Sequence, residues 1–295
     1  MTSSPPITHT TIKQINRHSQ QGVTLLELMV GIAIGLMVVA VALGALMASR
    51  SISGTVSDAT GIQQQAAYAM RVIGQQLRQA GSIYLNLDNA SGLSSAIAAS
   101  TPVAFEASAA ASGSGNSFTP ATDTLSGTSS SLTIGYRRYT EAVFNNTAAQ
   151  SLVRNCLGGP ADTSTDQRLE SIFTFTNGRL QCAGNGSTAQ PIVQNVADFQ
   201  VRYLLQDNSA PGNTRIQYLS AAALGTENWA KVQAVEVCLV LYGDEVIDMP
   251  AGSSYTGCNG AVDMTTLTGT RTRRMHIAFR NVFQLRSQGL IGTVL

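Results

Sequence analysis

Glu27 is the only charged residue between Val23 and Ser49, in a stretch that is otherwise apolar or small: VTLLELMVGIAIGLMVVAVALGALMAS. A carboxylate inside such a stretch is costly in hydrocarbon and marks a functional group in need of a partner. Two roles compete for it. In one, Glu27 lies at the headgroup level, because the four residues from Val23 span only about 6 Å of helix. In the other, the chain is cut between Gly22 and Val23, which frees an α-amino group on Val23. That amine, with a reference pKa of about 8, is largely cationic at neutral pH. It can then pair with Glu27 of a neighbouring copy once helices pack side by side.

Other reactive groups are sparse. His9 and His18 precede the apolar stretch, so His276 is the only histidine in the body of the chain. Its alternating surroundings predict a half-exposed strand residue. Zinc sites and Ser-His-Asp or Cys-His catalysis need an imidazole beside other specific groups. Neither a Walker loop, a G-x-S-x-G nor an EF-hand pattern is present. Asp198, Asp207, Asp244 and Asp248 are too scattered to build a calcium site. Catalytic residues, a metal and a cofactor are therefore not expected, and the chain does not read as an enzyme. The basic clusters are Arg137–Arg138 and Arg271, Arg273 and Arg274, which read as solvated strand edges. A formal net charge of +1 gives no general nucleic-acid footprint, and nucleic acid is not an expected partner.

The four cysteines are Cys156, Cys182, Cys238 and Cys258, and none forms a C-x-x-C. Downstream of a membrane segment, an even number reads as two disulfides in an oxidising compartment. Of the three possible pairings, Cys156–Cys182 with Cys238–Cys258 closes the shortest loops and is the expected one. Each such bridge typically contributes about 2–4 kcal/mol.

The element that must carry Glu27 is long. As a helix, Val23 to Ser49 reaches about 40 Å, enough to cross a hydrocarbon core of about 30 Å. It exceeds the apolar region of about 7–15 residues found in secretory signals. The segment ahead of it holds Lys13 and Arg17 and no acid, which places the N-terminus in the cytoplasm and the body of the chain outside it. Gly31 and Gly35 form a G-x-x-x-G that allows close helix approach in lipid.

Taken together, the short basic leader, the glycine and the run GVTLLELMVGIA resemble the class III signal of type IV pilins and type II secretion pseudopilins. The resemblance implies that a prepilin peptidase cuts after Gly22 and methylates the new N-terminus at Val23. It also makes Glu27 the glutamate that stands fifth in the mature chain and forms the assembly salt bridge. The family's usual first mature residue is phenylalanine, and Val23 departs from it.

Behind Ser49 the helical period continues. Ile52, Val56, Ala59, Ile62, Ala66, Ala69, Ile73, Leu77 and Ala80 recur at spacings of three and four and predict an apolar stripe. Arg71 and Arg78 fall on the solvated side, Gly81 is the candidate C-cap, and Gly54, Gly61 and Gly74 weaken the helix. Residues 88–130 are a tract of Ser, Ala, Gly and Thr that reads as irregular, with one short strand at most. From residue 131 the pattern is β: SLTIGYRRY, IFTFTNGRLQC with an Asn177-Gly178 turn, VADFQVRYLL, VQAVEVCLVLYG and RRMHIAFRNVFQLR. The expected fold is α+β, a long N-terminal helix packed on an antiparallel sheet in a pilin-like roll.

The second half sharpens the likeness. MRVIGQQLRQAGS, RNC, GRLQC and PIVQNVADFQVRYLL, with the closing RRMHIAFRNVFQLR, resemble the PilW family of minor pilins. Cys156 and Cys182 occupy positions similar to the family's, which supports their pairing. The expected organisation is a cytoplasmic leader (1–22), a transmembrane and filament-core helix (23–49), an amphipathic continuation (50–81), an irregular region (82–130) and a β-rich periplasmic head (131–295). The resemblance implies a structural minor pilin that joins other minor and major pilins at the inner membrane and its pilus assembly platform. It then enters the filament, at the tip by the family's example. The alternatives are a J-like pseudopilin of type II secretion, and a tip adhesin or DNA-binding pilin.

Overall fold

The computed structural model describes residues 22–86, 105–106, 108–144, 146–151, 153–207, 213–226 and 228–286. The leader residues with Lys13 and Arg17, and positions 88–104 of the Ser-rich tract, lie outside the described residues. The chain divides into two compact units, Met1–Ser53 and Gly54–Leu295. Helix α1 (Leu25–Arg78) contributes residues to both.

In the first unit every described residue from Gly22 to Arg50 is exposed. A window of α1 reaches a mean hydropathy of 2.6 with none of it buried. A helix apolar all round has no inner and outer face to choose between. It is long and apolar enough to cross a membrane.

In the second unit α1 turns amphipathic. Ile62, Ala66, Ala69, Ile73 and Leu77 are buried, at spacings of four and three that keep them on one face. The stripe expected from Ile52 onward is shorter than its periodicity: Ile52 and Val56 are exposed, and burial starts at Ile62. Small Ala66 and Ala69 allow close packing, and Gly74 allows closer still. A Cβ built on Gly74 would lie 2.5 Å from Cε1 of Phe283. The helix ends near Gly81, whose φ of 85° is a left-handed geometry that glycine adopts without strain. Gly81 then pairs with the strand Ser131–Arg137, donating to Gly135 O and accepting from Arg137 N.

Two larger sheets and three two-stranded pairs, rather than one sheet, make up the β structure of this unit among the described residues. A short pair, β1 (Leu85–Asn86) and β2 (Phe105–Glu106), leads into β3 (Leu125–Gly127) and β4 (Ser131–Arg137). A small hairpin follows, β5 (Glu141–Val143) with β6 (Asn146–Gln150). Then come β7 (Arg168–Thr176), β8 (Arg179–Ala183) and β9 (Gln190–Val193), which make a five-stranded sheet ordered β3-β4-β7-β8-β9. Next, β10 (Val196–Asp207), β11 (Arg215–Leu219), β12 (Val232–Val246) and β15 (Arg274–Gln284) make a four-stranded sheet ordered β11-β10-β12-β15. Between β12 and β15 lies the hairpin β13 (Ser254–Gly257) and β14 (Gly260–Asp263). All these strand pairs are antiparallel. The β7–β8 turn has φ of 50° at Asn177 and 70° at Gly178, the double positive φ that matches a twisted two-residue hairpin.

The main core unites the buried face of α1 with both sheets: Leu132, Phe173 and Leu180 from one, Phe199, Val201, Tyr203, Val235, Val237, Leu239 and Phe283 from the other. Strand β12 is buried on both faces from Val232 to Leu241. Its alternate side chains Cys238 and Val240 point into a second, small core with Ala197 and Cys258, flanked by Tyr242, Tyr255 and Ala278.

Candidate functional site

The stem N-terminus is built on a reciprocal cap. Residues Gly22 to Thr24 are non-helical, and the first helical bond runs from Leu28 N to Thr24 O at 3.1 Å. Thr24 donates twice to the same carboxylate oxygen, Glu27 Oε2: from its backbone N at 3.0 Å and from Oγ1 at 3.1 Å. Glu27 N in turn donates to Thr24 Oγ1 at 3.3 Å. This is a capping box, T-x-x-E, in which two orphan amide donors of the helix start are satisfied by side chains. The carboxylate also faces the positive end of the helix dipole. Glu27 therefore has a partner within its own chain, which a reading that pairs it only with an amine overlooks. The signal was present in the spacing of Thr24 and Glu27.

Three consequences follow from the geometry. The Gly22–Val23 bond lies ahead of the helix in exposed backbone, with Val23 itself 73% exposed. The bond precedes Thr24 N, so the cap survives a cut there. A carboxylate accepts at about four lone-pair positions, so Glu27 keeps room for a cation after both Thr24 bonds are made. Gly31 and Gly35 follow Glu27 at steps of four on the same side of the helix, and nothing within 4 Å covers either. Thus Glu27, Gly31 and Gly35 share an open face, while Val23 precedes the helix.

The cysteines lie in the second unit, and both bonds join neighbours in sequence. Cys156–Cys182 has Cα atoms 6.4 Å apart and ties the 151–166 loop to β8. Cys238–Cys258 has Cα atoms 5.8 Å apart and ties β12 to the β13–β14 turn.

Within the basic clusters, Arg138 departs from the expectation of a solvated edge, whereas Arg273 is exposed. Arg138 is buried, and its guanidinium donates to the carbonyls of Ser164, Asp166, Ala161 and Asp162, so it organises a loop. Arg154 donates to Asp162 at 2.6 Å and holds that carboxyl below the usual range. Arg137 stacks over the rings of Tyr139 and Tyr84, 5.0 and 5.8 Å from their centroids. Arg273 pairs with Asp248, and Arg274 donates to Gly243 O and Asp244 O. Arg138 is thus spent on internal structure, while the Arg273–Asp248 pair lies at the solvated surface. His276 is also a correction: it is 8% exposed instead of half-exposed, because the β13–β14 hairpin covers that part of β15.

Comparison with known proteins agrees with this division. Residues 17–48 match the family model of the prokaryotic N-terminal methylation motif, which contains Gly22, Val23, Glu27, Gly31 and Gly35. Residues 159–287 match the model of the type IV pilus-assembly protein W, PilW, which spans β7 to β15. A solved type IV-like pilin from Thermus thermophilus is 13% identical with a TM-score of 0.37, over 77% of this chain and 98% of its own. No curated protein matches the chain. The chain is thus similar to type IV pilins over two separate stretches: an apolar stem with a methylation motif, and an α+β unit behind it in sequence. The similarity to PilW is confined to residues 159–287.

Proposed function

We propose that the chain is a structural minor pilin for type IV pilus assembly or initiation, processed by prepilin peptidase after Gly22 and methylated at Val23. The observation that carries the proposal is a helix exposed on every side over its apolar length, with one carboxylate set by Thr24 at its first turn. Exposed apolar surface of that extent needs lipid or neighbouring helices to cover it. In the membrane, lipid covers the stem, with the N-terminus cytoplasmic and the head periplasmic. In the filament, the stems of other pilins replace lipid. Each step of that exchange leaves a cation and an anion in an apolar medium, and the Val23 amine against a neighbour's Glu27 neutralises both. Gly31 and Gly35, on the same face as Glu27, let the neighbour approach closely.

N-terminal mass spectrometry of the mature protein tests the processing step; a start at methylated Val23 is expected. Glu27→Ala tests the pairing. Cleavage should persist, because the cut bond lies outside the helix, while incorporation and co-purification with partner pilins should fall sharply. Normal piliation and normal co-purification of Glu27→Ala would sink the pairing.

A further inference from the structure

The small core on the outer face of the four-stranded sheet has its own cover. The β13–β14 hairpin lies over β12 and β15 and is held at two places along its length. At the turn, Cys258 is bonded to Cys238, Arg280 Nη2 donates to Cys258 O at 2.8 Å, and Arg202 Nη2 donates to Asn259 Oδ1 at 3.2 Å. Along the arm, the Tyr255 ring stacks on His276 with centroids 4.5 Å apart and planes 17° apart. Tyr242, the cross-strand partner of His276 on β12, has its ring centroid 5.8 Å from the imidazole. We propose that this hairpin is an acid-sensitive clasp on the sheet, latched by neutral His276 and pinned at its turn by the Cys238–Cys258 bond.

The hydrogen bonding sets the protonation state of the latch. His276 Nδ1 lies 2.9 Å from Arg274 O, and a carbonyl can only accept. Nδ1 therefore carries the proton, and Nε2 is the bare acceptor of a neutral ring. Nε2 is buried and meets no protein partner among the described residues. A second proton there would place a charged N–H where no acceptor waits, and a buried unpaired charge is costly. The facing charged and titratable groups are Arg271, Asp198, Tyr242 and Tyr255. Burial pushes His276 below the ordinary range, and the Arg271 guanidinium pushes the same way, against the Arg274 carbonyl. The neutral form is thus the one the closed hairpin favours. Its contribution is complete above the unfolded value of about 6.5 and is lost as the pH falls below that. Asp198 acts in the opposite sense, since burial pushes its carboxyl up and protonation relieves it. Tyr255, also pushed up by burial, stays neutral throughout. Opening the clasp uncovers Ala197, Val240 and Ala278, a small apolar strip on an otherwise polar part of the sheet.

The test is amide hydrogen exchange over residues 254–263 in the full-length protein in detergent, corrected for intrinsic rates, at pH 8 and pH 5. Wild type is expected to lose protection along the β13 arm at pH 5 relative to pH 8. His276→Phe keeps the stack without the titration and should show the same protection at both pH values. Cys238→Ser/Cys258→Ser should extend the acid loss to the turn at Cys258 and Asn259. Equal protection of wild type at the two pH values overturns the clasp. So does the same acid loss in His276→Phe. Should the double serine variant not fold, the wild-type and His276→Phe pair still decides.

Discussion

The two parts of α1 obey one helical geometry and opposite burial rules. From Leu25 to Arg50 every residue is exposed, although most are apolar. From Ile62 to Leu77 the apolar residues are confined to one face, and that face is buried. The later part completes its packing within its own unit, against strands from both sheets. The earlier part has no internal partner among the described residues, and on the proposed function its cover comes from outside the chain. On that proposal a core residue reports on folding, whereas a stem residue reports on membrane or assembly.

The largest separation between the two should come from leucine truncation. Leu77 is fully buried, and Leu77→Ala removes transfer energy and leaves a cavity, a loss of about 2–5 kcal/mol. Leu36 is 66% exposed, and Leu36→Ala should leave head stability within about 0.5 kcal/mol. Thermal or urea unfolding of the detergent-solubilised protein, followed by near-ultraviolet circular dichroism of the head, distinguishes them. A comparable loss for Leu36→Ala would break the comparison.

A smaller effect probes how closely the later part packs. At Gly74 an added methyl would meet the Phe283 ring at 2.5 Å, and Phe283 is itself buried. Gly74→Ala should therefore destabilise by about 1–3 kcal/mol through overpacking, despite alanine's better helix propensity. Combining it with Phe283→Leu should recover part of that loss, since the clash is with the ring edge. A destabilisation that Phe283→Leu leaves unrelieved would place the cause elsewhere.

Periodicity identified the elements better than their surroundings. The Asn177-Gly178 turn, the strands around Phe199 and Cys238, and the buried run from Ile62 were all legible, because their local chemistry and tertiary packing agree. The stripe was overextended at Ile52 and Val56, since a 3.6-residue period reports which face a residue takes but not how far the covering sheet reaches. His276 was misjudged for a related reason: strand alternation cannot foresee a hairpin folding back over the sheet. Arg138 looked like a surface charge because the carbonyls it collects lie more than twenty residues away in sequence. Splitting the β region into two sheets was equally invisible, as register and strand order are set by long-range contacts. At the stem, GVTLLEL gives an expected cut after Gly22 and singles out the acid, while the Thr24–Glu27 cap was present in the same letters and masked by the more specific motif.

The smallest effect is also the one that separates the two parts by sign. Gly61 lies in the later part of α1 and, unlike Gly74, has nothing within 4 Å of its built Cβ. Gly61→Ala should stabilise the head by about 0.5–1 kcal/mol, the helix-propensity gain alone. Gly31 and Gly35 have the same open surroundings within the chain. If space within the chain were the only consideration, Gly31→Ala and Gly35→Ala would be harmless too. In a packed array of stems the added methyls would instead push apart the face that also carries Glu27. We expect both to leave head unfolding unchanged and to lower incorporation into the filament, while Gly61→Ala raises the head's melting temperature by a few degrees. Full incorporation of a Gly31→Ala/Gly35→Ala double variant would move the packing face away from these glycines and leave Glu27 to act without them.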